Sequence, residues 1–348
     1  MQTIPSNRFC GSQMSAGLTS MQSVSSPNAT FIRPSSFYII GLYNVPHAKY
    51  FYVFLCFVYI VTVLGNLFIM GTIYLARSLH TAKYIAVFNL ALSDLCGSSA
   101  LIPKLLDMFL FENQYISYEA CLANMFFVYV FMTLQSLTLL AMAYDRLIAI
   151  CFPLRYHAIV TNTAMTLIIC AMWILSLSVI ALMVALVTRL SFCRSTTVDS
   201  YFCDHGLYYL ACNDYSMNSI IGNVCTAVLL YIPLILIALS YVCIGFALQK
   251  ISHGAEQIKA MKTCTSHVIL VAMFYLPIIS VYTAAFTTPI SANIRIINTA
   301  LTQTIPPMLN PIIYTLKTEE VLQCIKVIYK QTRVNSAVER TMKKTARN

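Results

Sequence analysis

Asp145 and Arg146 place a carboxylate beside a guanidinium, directly after an uncharged apolar run from Ala120 to Tyr144. Full charges at the end of such a run belong where lipid meets water, because burying a charge at the bilayer centre is costly. A guanidinium stays charged and can change acceptors. The pair is therefore either an interfacial anchor or a two-state switch, in which Asp145 holds Arg146 until a neighbouring helix moves.

Cys121 lies at the other end of the same run. A helix from Cys121 to Arg146 would be about 37 Å long at ~1.5 Å per residue. That length crosses a hydrocarbon core of ~30 Å. One helix would thus connect a cysteine on one side of a membrane to a charged pair on the other, and we expect the rest of the chain to be arranged around it.

Asp94 stands near the middle of a second apolar run. A carboxylate at membrane depth is a functional candidate by default and needs a polar partner, for which we expect Asn66 and Asn310. It either couples helix packing to activation or forms a structural polar cluster. The sequence contains no Cys-x-x-Cys, Gly-rich phosphate loop or His-Glu-x-x-His motif. We therefore predict no catalytic site, no metal site and no cofactor.

The composition indicates an integral membrane protein. Of the 348 residues, 59% are hydrophobic and only 10% are charged, against about 25% charged in soluble domains. The net charge of +10 is compatible with nucleic acid or anionic lipid. The charges lie in short clusters between apolar runs, which favours membrane lipid and no nucleic acid. Residues 1–35 lack an apolar core, so the first spanning helix is expected to act as the membrane signal.

Seven apolar runs are each long enough to cross a bilayer as a helix. They cover residues 50–76, 84–106, 120–144, 158–188, 215–249, 263–288 and 296–316. We therefore predict an all-α membrane protein, a seven-transmembrane helix bundle over 46–316. Most of the 22 Lys and Arg residues fall on one side of this bundle, which predicts that the N-terminus lies outside and the C-terminus inside.

Three segments lie outside the predicted bundle. Residues 1–45 are polar and are interpreted as a mobile extracellular tail, in which Asn28 opens the only glycosylation sequon. Residues 317–333 carry an apolar stripe beside lysines and suit an amphipathic helix on the membrane surface. Cys324 in this stripe is either an acylation site or an unmodified cysteine. Residues 334–348 are expected to form a cytoplasmic tail.

Four cysteines face the oxidising side on this topology. Cys121 opens the third run, and Cys193, Cys203 and Cys212 crowd the polar loop between the fourth and fifth runs. Four cysteines allow three pairings, and spacing alone does not choose between them.

Several short motifs recur along the predicted helices. They are Gly65–Asn66, Leu92–Leu95, Pro103–Leu106, Met142–Cys151, Pro153–Tyr156, Trp173, Ser240–Tyr241, Lys259–His267, Phe274–Tyr275 and Pro307–Tyr314. Together they resemble the motifs of olfactory (odorant) receptors, which belong to the rhodopsin-like (class A) G-protein-coupled receptors. Pro306–Pro307 and Lys317–Glu319 look similar to the fish-like branch, which would suggest water-soluble odorants.

The resemblance implies a multi-pass receptor of the plasma membrane, with a small-molecule odorant and a heterotrimeric G protein of the olfactory, stimulatory type as partners. It implies disulfides Cys121–Cys203 and Cys193–Cys212. It also implies a set of residues for the activation switch and G-protein coupling: Asp94, Asp145, Arg146, Tyr241, Asn310, Pro311 and Tyr314. Pro233, Pro277 and Pro311 interrupt three helices and would give hinges.

In this class the ligand lies between the third, fifth and sixth helices, under the outer loop. Two to three turns below Cys121, one helix face carries Val128, Tyr129, Met132 and Thr133. Across from them we expect Cys225, Leu229, Tyr275, Tyr282 and Phe286. Such a wall is mostly apolar with a few hydroxyls, as small-molecule sites usually are, although each residue could equally be plain packing. Asp204 and His205 in the loop could add polar contacts.

The chain departs from the family pattern in two places. Leu147 stands where the family has the Tyr of Asp-Arg-Tyr, and Gln135 stands where it usually has Glu. A Glu there could join Asp94 and Asn310 in a sodium site, so sodium control is not expected here.

Other functions predict different features in the sequence. An amine receptor would need an Asp where Val128 stands. A transporter or channel would predict internal repeats with broken helices, and a membrane enzyme would need a metal or nucleophile cluster. None of these features is visible in the sequence.

Overall fold

The computed structural model of the chain describes residues 31–41, 48–250, 254–287, 292–317 and 320–327. The chain divides into two units, Met1–Ile32 and Arg33–Asn348. All the helices and strands below belong to the second unit. Asn28 and the predicted tail 334–348 lie outside the described residues.

Helices account for most of the described chain. In chain order they are α1 (Ala48–Leu75), α2 (Ala82–Leu110), α3 (Tyr118–Cys151), α4 (Tyr156–Ile159), α5 (Asn162–Val187), α6 (Ser216–Thr226), α7 (Ile232–Lys250), α8 (Ala255–Thr287), α9 (Ala292–Lys317) and α10 (320–327). A π-helical turn, Ala227–Tyr231, joins α6 to α7, so Ser216–Lys250 runs as one long helix. A helix satisfies its own backbone hydrogen bonds, which is the condition for crossing lipid.

Six of the described helices are long and apolar enough to span a membrane. They are α1, α2, α3, α5, the α6–α7 helix and α8. The seventh predicted run also forms a long helix, α9, of 26 residues. Its composition is less apolar, because it carries Asn298, Gln303 and Asn310 besides three prolines. The chain is therefore a mostly helical, multi-pass membrane protein.

α3 is the central helix, as its sequence predicts. In its most apolar window 67% of the residues are buried, against 22% for α5, and it packs against α2, α5, α7 and α8. It begins where the Ser117 side chain accepts a hydrogen bond from the Ala120 N–H at 3.3 Å. It ends at Cys151, two turns beyond the predicted end at Tyr144. The charged pair 145–146 therefore lies inside the helix.

The segment before α1 is not a mobile tail throughout. Strand β1 (Ser36–Ile39) is the middle strand of a small sheet between β2 (Tyr115–Ser117), which is antiparallel, and β3 (Thr197–Val198), which is parallel. The alternation Ser-Phe-Tyr-Ile has period two, so Phe37 and Ile39 both point inward and are fully buried. The expectation of mobility is wrong for these residues.

Two disulfides lie at the same end of the bundle as this sheet. Cys121 at the start of α3 is joined to Cys203, and Cys193 is joined to Cys212. These are the pairs that the resemblance implies. We call this end of the bundle the disulfide end, and the opposite end, defined by Arg146, the arginine end.

At the arginine end, α10 packs back onto the bundle. Glu320 forms an ion pair with Lys83 at 3.1 Å and accepts a hydrogen bond from Tyr84. Val321 is buried and Cys324 lies with its sulfur 3.4 Å from the Ser78 hydroxyl. Part of the apolar stripe predicted to face lipid thus faces protein.

Candidate ligand and signalling site

The predicted ligand face of α3 is largely buried. Val128 and Thr133 are 3% and 4% exposed, and Met132 is half-buried. Met132 Sδ accepts a hydrogen bond from Gln303 Nε2 of α9 at 3.4 Å. The face therefore points into the bundle, where Met132 contacts α9.

Ser136 connects that face to two of the residues predicted opposite it. Its hydroxyl donates to the Leu229 carbonyl at 2.8 Å and lies 2.8 Å from the Tyr275 hydroxyl. Proline has no N–H, so Pro233 cannot donate to the carbonyl four residues before it, at Leu229. The Ser136 hydroxyl supplies that missing donor. Since Ser136 is three residues from Thr133, Leu229 and Tyr275 adjoin the predicted α3 face.

The remaining predicted ligand residues are less constrained. Cys225 is half-buried on α6 and is a free cysteine. Tyr282 and Phe286 belong to α8, but their side chains lie outside the described part of the chain. The structure also has surface grooves of about 420 and 560 Å³, and neither contains any of the nine predicted ligand residues.

The loop between α5 and α6 covers this region, and α3 holds it in place at three points. The first is the disulfide Cys121–Cys203. At the second, the Asn124 side chain accepts from the Cys203 N–H at 3.1 Å and donates to the Ala100 carbonyl at 2.8 Å. At the third, the Tyr129 hydroxyl accepts from the His205 N–H at 3.3 Å. We call residues 199–212 of this loop the lid.

His205 is a buried titratable group of the lid. Its ring lies against Gly222 of α6, where a Cβ would stand 2.8 Å from the ring atoms Cε1 and Nδ1. It also packs edge-on against Tyr208, with ring centroids 5.1 Å apart. Burial disfavours the charged imidazolium and lowers the pKa of His205 to about 4. The ring is therefore neutral at physiological pH.

Asp94 is buried at the centre of the bundle with two amide donors. Gln135 Nε2 donates to its Oδ1 at 2.8 Å, and Asn310 Nδ2 donates to its Oδ2 at 2.7 Å. The carboxylate thus joins α2, α3 and α9. The expected partner Asn310 is present, and Gln135, noted only as a departure from the family, is the other partner.

Asn66 does not bond to Asp94, contrary to expectation. Its Nδ2 donates to the Pro307 carbonyl at 3.0 Å and to the Thr62 carbonyl at 2.9 Å. Pro311 lacks the N–H that would bond to the carbonyl of Pro307, four residues earlier. Asn66 replaces that donor from α1, so it stabilises the interrupted part of α9 instead of the carboxylate.

At the arginine end, Asp145 forms an ion pair with Arg146 and accepts a hydrogen bond from Tyr156. Arg146 Nη1 lies 3.1 Å from Asp145 Oδ2, and the Tyr156 hydroxyl donates to Asp145 Oδ1 at 2.8 Å. Among the described residues, Arg146 Nε has no hydrogen-bond partner. Burial and the Asp145 carboxylate raise the pKa of Tyr156 well above its usual value, so the phenol remains a donor.

A second chain of hydrogen bonds joins three helices near this end. His267 Nε2 donates to the Leu139 carbonyl of α3 at 3.1 Å, and the Tyr241 hydroxyl of α7 lies 2.7 Å from His267 Nδ1. A carbonyl can only accept, so Nε2 carries a proton, and in the tautomer protonated only there Nδ1 accepts from Tyr241. In addition, Tyr314 of α9 donates to Met142 Sδ of α3 at 3.4 Å.

Comparison with known proteins decides the family. A model of the olfactory receptor family matches residues 55–332. Olfactory receptor 1E16 of Mus musculus is 36% identical over 300 residues, which cover 85% of this chain and 94% of the mouse protein. Olfactory receptor 51F2 of Homo sapiens is 36% identical over 303 residues, which cover 86% of this chain and 88% of the human protein. The chain belongs to the olfactory receptor family.

Membership in the olfactory receptor family establishes the broad class of activity. It is a family of G-protein-coupled receptors and is not enzymatic. Olfactory receptor 1496 of Rattus norvegicus, also 36% identical, covers 86% of this chain and 96% of its own length. The resemblance inferred from the motifs is confirmed over nearly the whole helical part of the chain.

Sequence reasoning missed three residues that hold this olfactory receptor's helices together. Ser136, Asn124 and Tyr156 each connect two or more segments. Ser136 could have been found from Pro233, because a proline in a helix leaves one carbonyl without its usual donor. Asn124 has no comparable signal, since its partners lie 24 and 79 residues away. Tyr156 bonds to Asp145, 11 residues earlier, but the contact depends on how the chain turns between α3 and α4.

Proposed function

We propose that this olfactory receptor binds a small odorant between α3, the α6–α7 helix and α8, and then activates a stimulatory heterotrimeric G protein that raises cAMP. The proposed contacts are Val128, Tyr129, Met132, Thr133, Cys225, Leu229, Tyr275, Tyr282 and Phe286. Both the mouse and the human relative are named as olfactory receptors, which supports an odorant as the ligand.

The observation that carries the proposal is the three-way contact at Ser136. One hydroxyl joins α3 to the Leu229 carbonyl at the π-helical turn and to Tyr275 of α8, close to Pro277. A ligand that displaces Tyr275 or the Leu229 turn must change this contact. Because π-helical turns and prolines are places where helices bend, the change moves α8 relative to α3.

Movement of α8 would reach the arginine end through His267. The Tyr241–His267–Leu139 chain ties α7, α8 and α3 together in the present state. If α8 moves outward, His267 leaves the Leu139 carbonyl and opens space beside Arg146. Arg146 then exchanges Asp145 for an acceptor on the G protein. Asp94, Asn310, Pro311 and Tyr314 complete the switch by coupling α9 to α2 and α3.

The proposal places the receptor in the plasma membrane with the disulfide end outside and the arginine end in the cytoplasm. Disulfides persist in oxidising surroundings, and Lys and Arg favour the cytoplasmic side. Asn28 is then available for glycosylation, and α10 lies at the inner membrane surface.

The test is expression of the full chain in cells with an olfactory-type G protein. cAMP is recorded against a panel of small molecules, half water-soluble and half volatile, and surface expression is measured in parallel. We expect a response that Arg146→Ala abolishes at equal surface expression. A response that is unchanged in Arg146→Ala contradicts the proposed switch. Ion or solute flux that persists in that variant would indicate a transporter.

A further inference from the structure

Three polar atoms under the lid have no hydrogen-bond partner among the residues that the structure describes. They are His205 Nε2, Tyr201 Oη and Asn218 Nδ2. Their residues are only 8%, 1% and 3% exposed. Buried polar side chains nearly always have a partner, so unpaired ones call for an explanation. Three such groups in the lid and the adjoining part of α6 make this region the strongest candidate for a further polar contact with a ligand.

The three groups adjoin the disulfide end of the proposed ligand site. The ring of His205 lies against Gly222, and Asn218 stands one turn earlier on the same face of α6. Tyr129 and Asp204 are the charged or titratable groups that act electrostatically on the Tyr201 hydroxyl, and the neighbouring Phe202 ring has its centroid 6.3 Å from that of Tyr129. The hydroxyl of Tyr129, a proposed ligand residue, accepts the His205 N–H. The unpaired groups thus lie at the junction of the lid, α3 and α6.

The chemistry of these groups selects the ligand atom. An amide N–H only donates, a phenol donates or accepts, and a neutral imidazole does one of each. Together they suit an oxygen that accepts hydrogen bonds. The charged groups nearby argue against a carboxylate, because the lid carries the half-buried Asp204, while Arg189 and Arg194 of the same loop are exposed. A buried anion without a cation is strongly disfavoured.

We infer that Tyr201, His205 and Asn218 form a polar subsite that binds the oxygen of a neutral small molecule, such as a ketone, ester or alcohol. This inference rests on the proposed ligand site, since the apolar part of the molecule would lie against Val128 and Leu229. It narrows the ligand to oxygenated, uncharged compounds. Hydrocarbons leave the three groups unpaired, and carboxylates place a charge beside Asp204.

Gly222 is required by the same geometry. Any side chain there would meet the His205 ring at 2.8 Å, a separation that a Cβ cannot adopt, so the ring would have to move. Gly222→Ala is therefore expected to move His205 away from Asn218 and to weaken binding of the oxygenated ligand. The change adds one methyl group and does not alter the side chains of Tyr201, His205 or Asn218.

The test measures binding without relying on G-protein coupling. Purified full-length receptor in detergent is heated with methyl ketones, carboxylic acids or alkanes of equal chain length, and the ligand-induced shift in Tm is recorded. We expect a shift from the ketones that exceeds those from the acids and the alkanes. An equal or larger shift from the acids or the alkanes, or no shift from any class, overturns the inference.

Tyr201→Phe and Asn218→Leu separate ligand binding from a structural role. Tyr201→Phe removes only a hydroxyl that is unpaired without ligand, so the ligand-free Tm of this variant should not fall. In both variants the ketone should bind about tenfold more weakly, as expected for one lost hydrogen bond. Tyr115→Phe is the matched control, because Tyr115 is exposed at the same end of the bundle. A lower ligand-free Tm with unchanged ketone binding overturns the inference.

The same experiment distinguishes this inference from the proposed signalling. A ketone-induced Tm shift without any cAMP response would support the subsite and contradict G-protein activation. A different outcome is a cAMP response that Arg146→Ala abolishes but that Tyr201→Phe and Asn218→Leu leave unchanged. That outcome would support G-protein activation and contradict the subsite.

Discussion

Tyr156 donates a hydrogen bond to Asp145 at 2.8 Å, on the carboxylate oxygen that Arg146 leaves free. The two oxygens of one carboxylate are thus divided between the short helix α4 and the neighbouring arginine. The orientation of Asp145 is fixed from outside α3. A displacement of α4 would therefore change the ion pair between Asp145 and Arg146.

Tyr156→Phe should raise the activity of the receptor without ligand. The change removes only the hydroxyl, so the Asp145 carboxylate loses its hydrogen-bond donor from α4 and its orientation toward Arg146 is less firmly fixed. We expect basal cAMP to rise about two- to fivefold at equal surface expression. Tyr74→Phe is the control, because Tyr74 is 77% exposed. Basal activity at or below that of the unchanged receptor would show that Tyr156 does not support the resting state.

Ser136→Ala and Tyr275→Phe should show coupled effects on stability. Ser136→Ala leaves the Leu229 carbonyl and the Tyr275 hydroxyl without a buried partner, which costs ~1–3 kcal/mol. Once Tyr275→Phe has removed that hydroxyl, Ser136→Ala should cost less. A double-mutant cycle on Tm in detergent measures the difference. Additive effects would mean that the 2.8 Å contact contributes nothing.

Gln135→Glu should make the receptor sensitive to sodium. In the unchanged receptor, Asp94 accepts one N–H from Gln135 and one from Asn310, so two amide donors stabilise its carboxylate. A Glu at 135 replaces a donor by a second carboxylate, and two buried carboxylates need a shared proton or a cation. We expect Tm to rise with sodium chloride but not with choline chloride in Gln135→Glu, and equal responses to both salts in the unchanged receptor.

Acidic pH should destabilise the lid through His205. Its pKa is lowered from 6.5 to about 4 by burial, so between these values the unfolded state binds more protons than the folded state. Stability therefore falls as pH drops from about 6.5 towards 4, by at most about 1.4 kcal/mol per pH unit. Tm should follow this trend, and His205→Phe should flatten it. Asp204, Tyr129 and Tyr208 lie around the ring and remain in both proteins.

Phe37→Ala should destabilise the disulfide end. Phe37 is fully buried, with its ring centroid 6.1 Å from that of Tyr118 and 5.2 Å from that of Phe192. Truncating a buried Phe typically costs ~3–5 kcal/mol. Tyr38→Ala on the other face of the same strand, where the side chain is half-buried, should cost less. Equal Tm values for the two variants would indicate that β1 does not pack on the bundle in solution.

The candidate site was predictable to the extent that its residues share one helix. The face formed by Val128, Met132 and Thr133 follows from helical spacing, and the structure places it inside the bundle. The partners across it depend on how other helices approach, which spacing within one helix does not specify. Ser136 shows this, since its two contacts lie 93 and 139 residues away along the chain.

The sequence by itself determined the membrane class, the long helices and the family. Length and apolarity are local properties, and the family motifs are short sequence stretches that can be recognised in a single chain. Only the tertiary structure decided which donor each carbonyl and carboxylate receives. Asn66 bonds to the Pro307 carbonyl instead of Asp94, and the segment expected to be a mobile tail supplies the middle strand of a sheet. Hydrogen bonding depends on distances of a few ångströms between distant segments, and only packing fixes them.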